Sequence, residues 1–197
     1  MDSEKIYVPD ERTLSADFLN TIPELKEKSR KELEHWAQEL IDIGDCAGKE
    51  YIGKDVLKLC EDRKIKVNMV LGGLVGKKLV RAHYDDSVKT ITVYQDGITS
   101  CLSTGAAERL GIENSLEAFR TVLLWHEFFH VLEFQELGYI GERYRVDAKG
   151  LLFMKKKAVY AVSEVSANAF ARSVLELSGS PFLIDWMMHH PVNGEEI

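Results

Sequence analysis

The longest apolar pattern in the chain runs from Leu116 to Phe134. Leu116, Phe119, Val122, Leu123, Leu124, Trp125, Phe128, Phe129, Val131, Leu132 and Phe134 cover almost every face of a helix, which makes that helix central and buried. Asn114 with Glu117 forms a candidate capping box, Ser115 is the alternative cap, and Gly138 is the expected stop. Upstream, Leu25, Leu33, Trp36, Ala37, Leu40 and Ile41 make one stripe and predict an amphipathic helix over 24–43, ended by Gly44-Asp45. Shorter helices are expected around 14–19 and 56–63. At Ile65 the period changes to two. Ile65, Val67, Met69 and Leu71 alternate with Lys66, Asn68 and Val70, and further strands are expected over 78–84 and 88–95. The short links predict antiparallel hairpins, with Ile91 and Val93 facing the central helix. Asp96-Gly97 is read as a turn and 103–110 as a short helix. Residues 138–154 are expected to be irregular, 155–177 helical, and 182–189 a last short helix.

The 197 residues suit one domain, with a helical segment over 1–63 packed on a core over 64–197. The mixture of 45% hydrophobic and 29% charged residues is that of a soluble globular chain with enough apolar mass for a core. A net charge of −7 does not suggest a nucleic-acid binder, and no direct nucleic-acid partner is expected. The charged start carries no secretory signal, and no apolar run is long enough to span a membrane. Cys46, Cys60 and Cys101 lack paired spacing and are read as reduced thiols of a cytoplasmic protein.

The chemistry sits on the central helix. His126-Glu127-Phe128-Phe129-His130 is an instance of HExxH. Four residues apart on a helix, both imidazoles stand on one face and can reach one metal ion, for which Zn²⁺ is the usual choice. Manganese or iron would also suit such donors. Glu127 then takes a proton from water at the metal and passes it on. Two histidines and a glutamate on a buried helix are costly unless something satisfies them, and a metal does so directly.

A catalytic zinc has three protein ligands and an open position. The candidate third ligand is Glu164, on the predicted helix that follows. Asn168 lies one turn on, placed to hydrogen-bond and orient a ligand histidine. Small residues Ala161, Ser163, Ala167 and Ala171 allow close helix approach. Glu133, three residues after His130, is either an alternative ligand or a partner of a histidine. His83 is read as a sheet-edge histidine. Tyr139, Tyr144 and Tyr160 are candidate donors to the oxyanion of an attacked amide.

HEFFH followed by Glu164-Val165-Ser166-Ala167-Asn168-Ala169-Phe170-Ala171 resembles the ImmA/IrrE-type metallopeptidase-like domain, within the broader gluzincin group. The resemblance covers roughly residues 65–178 and is specific in the two motifs. It implies an α+β, zincin-like fold: a small, mainly antiparallel sheet packed on the HExxH helix, with a second ligand-bearing helix. It further implies His126, His130 and Glu164 as zinc ligands and Glu127 as general base. The bulky Phe128-Phe129 pair departs from the family's pattern, Asn168 stands where many gluzincins have an aspartate, and Pro181 is displaced from the usual position. The expected function is a zinc-dependent peptidase acting on a specific peptide or protein, such as a transcriptional regulator. The competing expectation is a zinc-bearing binding module without turnover. A metal-free helical interaction protein is a third.

Overall fold

The computed structural model describes residues 8–75, 78–148 and 155–190, with no description of the side chains at 75, 78, 148 and 155. In chain order the elements are α1 (Glu11–Thr21), α2 (Arg30–Gly48), α3 (Val56–Asp62), β1 (Lys66–Val70), β2 (Leu74–Val75), β3 (Lys78–Leu79), β4 (Ala82–Asp85) and β5 (Thr90–Tyr94). There follow α4 (Gln95–Thr99), α5 (Ala106–Leu110), α6 (Leu116–Leu132), β6 (Arg145–Ala148), β7 (Lys155–Ala158), α7 (Ser163–Leu175) and α8 (Phe182–His189). The class is α+β.

Helix α6 is the axis of the molecule. Ser115 is its cap, its hydroxyl accepting from the Ala118 amide at 3.2 Å, while the Asn114 side chain turns to the Leu102 carbonyl. The Phe128-Phe129 pair and Trp125 are buried on the back of the helix, where they meet Tyr51 and Phe170 at centroid distances of 5.5–6.2 Å. Filling that volume with rings contributes about 2–3 kcal/mol of burial for each side chain. After Leu132 the helix widens into one π turn, Glu133–Leu137, and ends at Gly138 with φ +72°.

The three-stranded sheet has order β1-β5-β4. Strand β5 is central, antiparallel to β4 (Tyr84 opposite Ile91) and parallel to β1 (Val67 opposite Ile91). The sheet expected to be mainly antiparallel thus has one antiparallel ladder, β4 with β5, and one parallel ladder, β1 with β5. The chain leaves β1 through Gly72 (φ +98°) and Gly73 (φ +113°), makes the small β2–β3 hairpin, and returns as β4 on the far side of β5. Gly73 is tied to this crossing, because a Cβ there would lie 2.6 Å from the Val80 carbonyl and 2.8 Å from Tyr94 Cβ. Ile91 and Val93 are buried, and both β4 and β5 pack on α6. On edge strand β1 the alternation does not translate into burial: Ile65 is inside, but Met69 and Leu71 are exposed.

Three further expectations change. Gly44 does not end α2, which continues to Gly48. Gly97 is inside α4, where a Cβ would meet the Val80 carbonyl and Arg81 Cα, each at 2.8 Å. Residues 155–158 are not helical but pair with 145–148 in an antiparallel hairpin, extended by the Val159 amide on the Tyr144 carbonyl at 3.0 Å. Cross-strand backbone bonding outweighs the helix propensity of the lysine run there. Part of the stretch read as irregular, 149–154, lies outside the described residues, as do 1–7 of the N-terminal segment.

The helices of the first sixty residues share the core of the rest: α2 lies along α7, and α1 contacts α2 and α8. Arg172 of α7 holds Asp45 of α2 at 2.6 Å and Glu11 of α1 at 2.7 Å. Cys46, Cys60 and Cys101 are free thiols. No helix among the described residues is long and apolar enough to cross a membrane.

Candidate metal centre

His126 and His130 project from the front of α6, opposite the aromatic core, and Glu164 projects from the first turn of α7 toward them. His126 Nε2 lies 3.1 Å from Glu164 Oε2, and His130 Nε2 lies 3.4 Å from Glu164 Oε1. Donors about 2 Å from one tetrahedral ion stand roughly 3.3 Å apart. The two measured separations fall on either side of that value. One donor atom from each of the three residues lies within 4.8 Å of the others, so the group can hold a metal ion. Two imidazole nitrogens and a carboxylate suit zinc and its first-row neighbours.

His130 is oriented by Glu133, which is 4% exposed. One of its oxygens accepts the Ile140 amide at 2.8 Å, and the other lies 3.1 Å from His130 Nδ1. With Nδ1 donating to Glu133, the His130 Nε2 lone pair is the one presented to a metal. Of the two roles open to Glu133 from sequence, the geometry supports the histidine partner. Asn168 lies one turn from Glu164 as expected, but it makes a different contact from the one expected. Its amide donates to the Glu164 backbone carbonyl at 2.8 Å, one turn back on the same helix, and so braces the helix that carries Glu164.

Electrostatics follow from burial and proximity. Burial acts to lower the His130 pKa, but hydrogen bonds to Glu133 and Glu164 outweigh it and hold the value well above that of an ordinary imidazole. Burial would raise the Glu164 carboxyl, and the two histidines overcome it and hold the pKa well below the ordinary value. Glu127, 6% exposed, is raised chiefly by burial, with His126 and His130 working against the shift.

His126, Glu127, His130 and Glu164 line a cleft of about 640 Å³, walled by β4 on one side and by the start of α7 and α8 on the other. His83 lines it and stacks on Tyr94 at 5.7 Å. Tyr139 and Tyr160 line it too, whereas Tyr144 turns away to pack edge-on against Trp36 at 5.0 Å. The sequence reading missed Tyr84 and Phe134 as cleft residues. For Phe134 the signal was present: it follows His126 and His130 at the same four-residue step.

In comparisons with known proteins, no family model, no curated protein and no solved structure matches this chain. The class is therefore set by the site itself: an α+β protein with a two-histidine, one-glutamate group able to bind a metal.

Replacing Glu133 by Gln or Ala should lower zinc affinity about tenfold to a hundredfold, the usual cost of losing such an orienting partner. Competition against a chromophoric chelator measures this directly; unchanged affinity would remove Glu133 from the centre.

Proposed function

We propose that this chain is a zinc-dependent peptidase that hydrolyses an amide bond in a specific peptide or protein. The observation that carries the reading is the convergence of His126, His130 and Glu164 beside the buried carboxylate of Glu127, all lining one cleft of about 640 Å³. A site with no reaction to run has little reason to keep a costly buried carboxylate next to its ligands. The resemblance of the two motifs to ImmA/IrrE-type domains points the same way, and suggests a narrow target such as a regulator.

Zinc held by the three ligands would supply a Lewis acid for water and for the scissile carbonyl. The chain's own contribution is then largely Glu127. Its carboxylate removes a proton from the attacking water as the C–O bond forms, and returns a proton to the amide nitrogen as the C–N bond breaks. Glu133 keeps His130 in one tautomer throughout. The cleft walls position the substrate chain, and burial around Glu127 keeps bulk water from competing for its proton.

The test is Glu127→Gln, which keeps size and helix propensity but cannot accept a proton. Zinc-loaded wild type and variant are incubated with a proteome-derived peptide mixture, and new N-termini are counted by mass spectrometry. Wild type should generate a reproducible set; the variant should bind zinc and lose that turnover by roughly a hundredfold or more. If neither protein produces new termini, or both do so equally, the peptidase reading fails and a zinc-bearing binding module takes its place.

A further inference from the structure

In the wall of the cleft four aromatic rings form a continuous row. Tyr84 of β4 meets Phe134 of the π turn at 5.8 Å, Phe134 meets Tyr139 at 4.9 Å, and Tyr139 meets Tyr160 at 5.9 Å, all edge to face. All four line the cleft. Burying rings is what stabilises a fold, yet Phe134, Tyr139 and Tyr160 are 41%, 46% and 54% exposed. A clustered, exposed apolar surface of this kind beside a reactive centre marks a ligand surface. The rings are also held in place. The Tyr84 hydroxyl donates to Asp86 at 2.8 Å and the Tyr160 hydroxyl to Glu142 at 2.6 Å.

The charges around the row decide what it selects. Rings alone would accept either an apolar side chain or a cation. A cation site would need free negative charge nearby. Asp86 is neutralised by Lys89, and Glu142 by Arg145. The buried Glu133, next to Phe134, is committed to Ile140 and His130. The row is therefore an apolar surface with its carboxylates already paired. Resting on the peptidase reading, we infer that Tyr84, Phe134, Tyr139 and Tyr160 form a specificity subsite for one large apolar side chain, aromatic above all, of the substrate peptide. Phe134 follows directly on Glu133, and Tyr160 lies one turn before Glu164, so the subsite and the ligand set are built on the same two stretches of chain.

Two measurements test it. In the first, blocked tripeptides differing only in a central Phe, Leu, Lys or Gly are titrated into zinc-loaded Glu127→Gln protein and followed by NMR. The Phe peptide should bind about tenfold more tightly than the Gly or Lys peptide. In the double variant Tyr139→Ala/Tyr160→Ala, with zinc content checked as retained, that preference should fall to within about twofold. Should the double variant not fold, Tyr160→Ala alone, at the most exposed ring, should reduce the preference in the same direction. Equal or tighter binding of the Lys peptide, no binding of any peptide, or a preference that survives the variants would each overturn the subsite. In the second, the cleavage sites of wild type are aligned: a large apolar residue should be enriched at one fixed position from the scissile bond, and lose enrichment in the variant. Cleavage without that enrichment overturns the subsite and leaves the peptidase. Selective binding without any cleavage overturns the peptidase and leaves the subsite.

Discussion

Purified protein carrying His126→Ala or His130→Ala should lose its bound metal, where the wild type takes up about one zinc ion per chain. Closed structural zinc sites are worth on the order of 10–16 kcal/mol, and on that scale losing one of three ligands costs about 3–5 kcal/mol, a few hundredfold to a few thousandfold in affinity. Glu164→Gln should fall in the same range, since it replaces an anionic donor on which both histidines converge at 3.1 and 3.4 Å. Elemental analysis of each variant after dialysis against a weak chelator reads the result. Binding should also depend on pH. His130 holds its proton well above the ordinary imidazole range because Glu133 and Glu164 outweigh burial. A ligand imidazole must be neutral, so zinc competes with that proton, and affinity should rise as pH rises toward the pKa of His130. Full metal content in both histidine variants would show that α6 does not carry the site.

Gly44→Ala should destabilise the protein by about 3 kcal/mol, against a helix-propensity gain of about 1 kcal/mol that favours alanine at a mid-helix position. The reason is the contact between α2 and α7. A Cβ at Gly44 would lie 2.2 Å from the Ser166 carbonyl, 2.8 Å from Ala169 Cβ and 2.9 Å from the Phe170 amide. Two of those atoms are helix backbone and cannot rotate aside. The helices are also tied at this level by the Ser166 hydroxyl on the Leu40 carbonyl at 2.8 Å and by Arg172 on Asp45. In a chain of this size the loss corresponds to a fall of roughly 6–12 °C in Tm. Because α7 carries Glu164, pushing it outward should weaken zinc binding as well. Gly48→Ala should cost less, since its closest approaches, 2.7 Å to Ser173 Cβ, 2.9 Å to the Ser173 hydroxyl and 3.0 Å to the Phe170 carbonyl, are all longer than the 2.2 Å contact at Gly44, and the hydroxyl can rotate aside. A Gly44→Ala protein that melts at or above the wild-type temperature would mean that helix propensity, not packing, governs this position.

These two results bear on different layers of the sequence. The shared face of His126 and His130 was legible because a helix converts a four-residue step into one face, and the apolar run around them left no doubt of a helix. The approach of Glu164 to the two histidines was legible through its own motif, and the contact of Glu133 through its three-residue offset from His130. The last helix, Phe182–His189, also matches its expected bounds. Gly44 was misread, because a glycine that stops a helix and a glycine that lets a second helix approach look alike in one dimension. Its neighbours Ser166, Ala169 and Phe170 are more than a hundred residues away.

What the sequence determined by itself was therefore local: where helices begin and end when caps and periodicity agree, which residues share a helix face, and which of them carry metal-binding chemistry. The tertiary structure alone decided the parallel pairing of β1 with β5, the β6–β7 hairpin over a lysine run, and the aromatic row at the cleft. Each of these depends on contacts between distant segments, whose free energy comes from backbone pairing and excluded volume across the fold. Alternation along β1 marks it as a strand, but its partner and the exposure of Met69 and Leu71 are set by where Gly72 and Gly73 send the chain next.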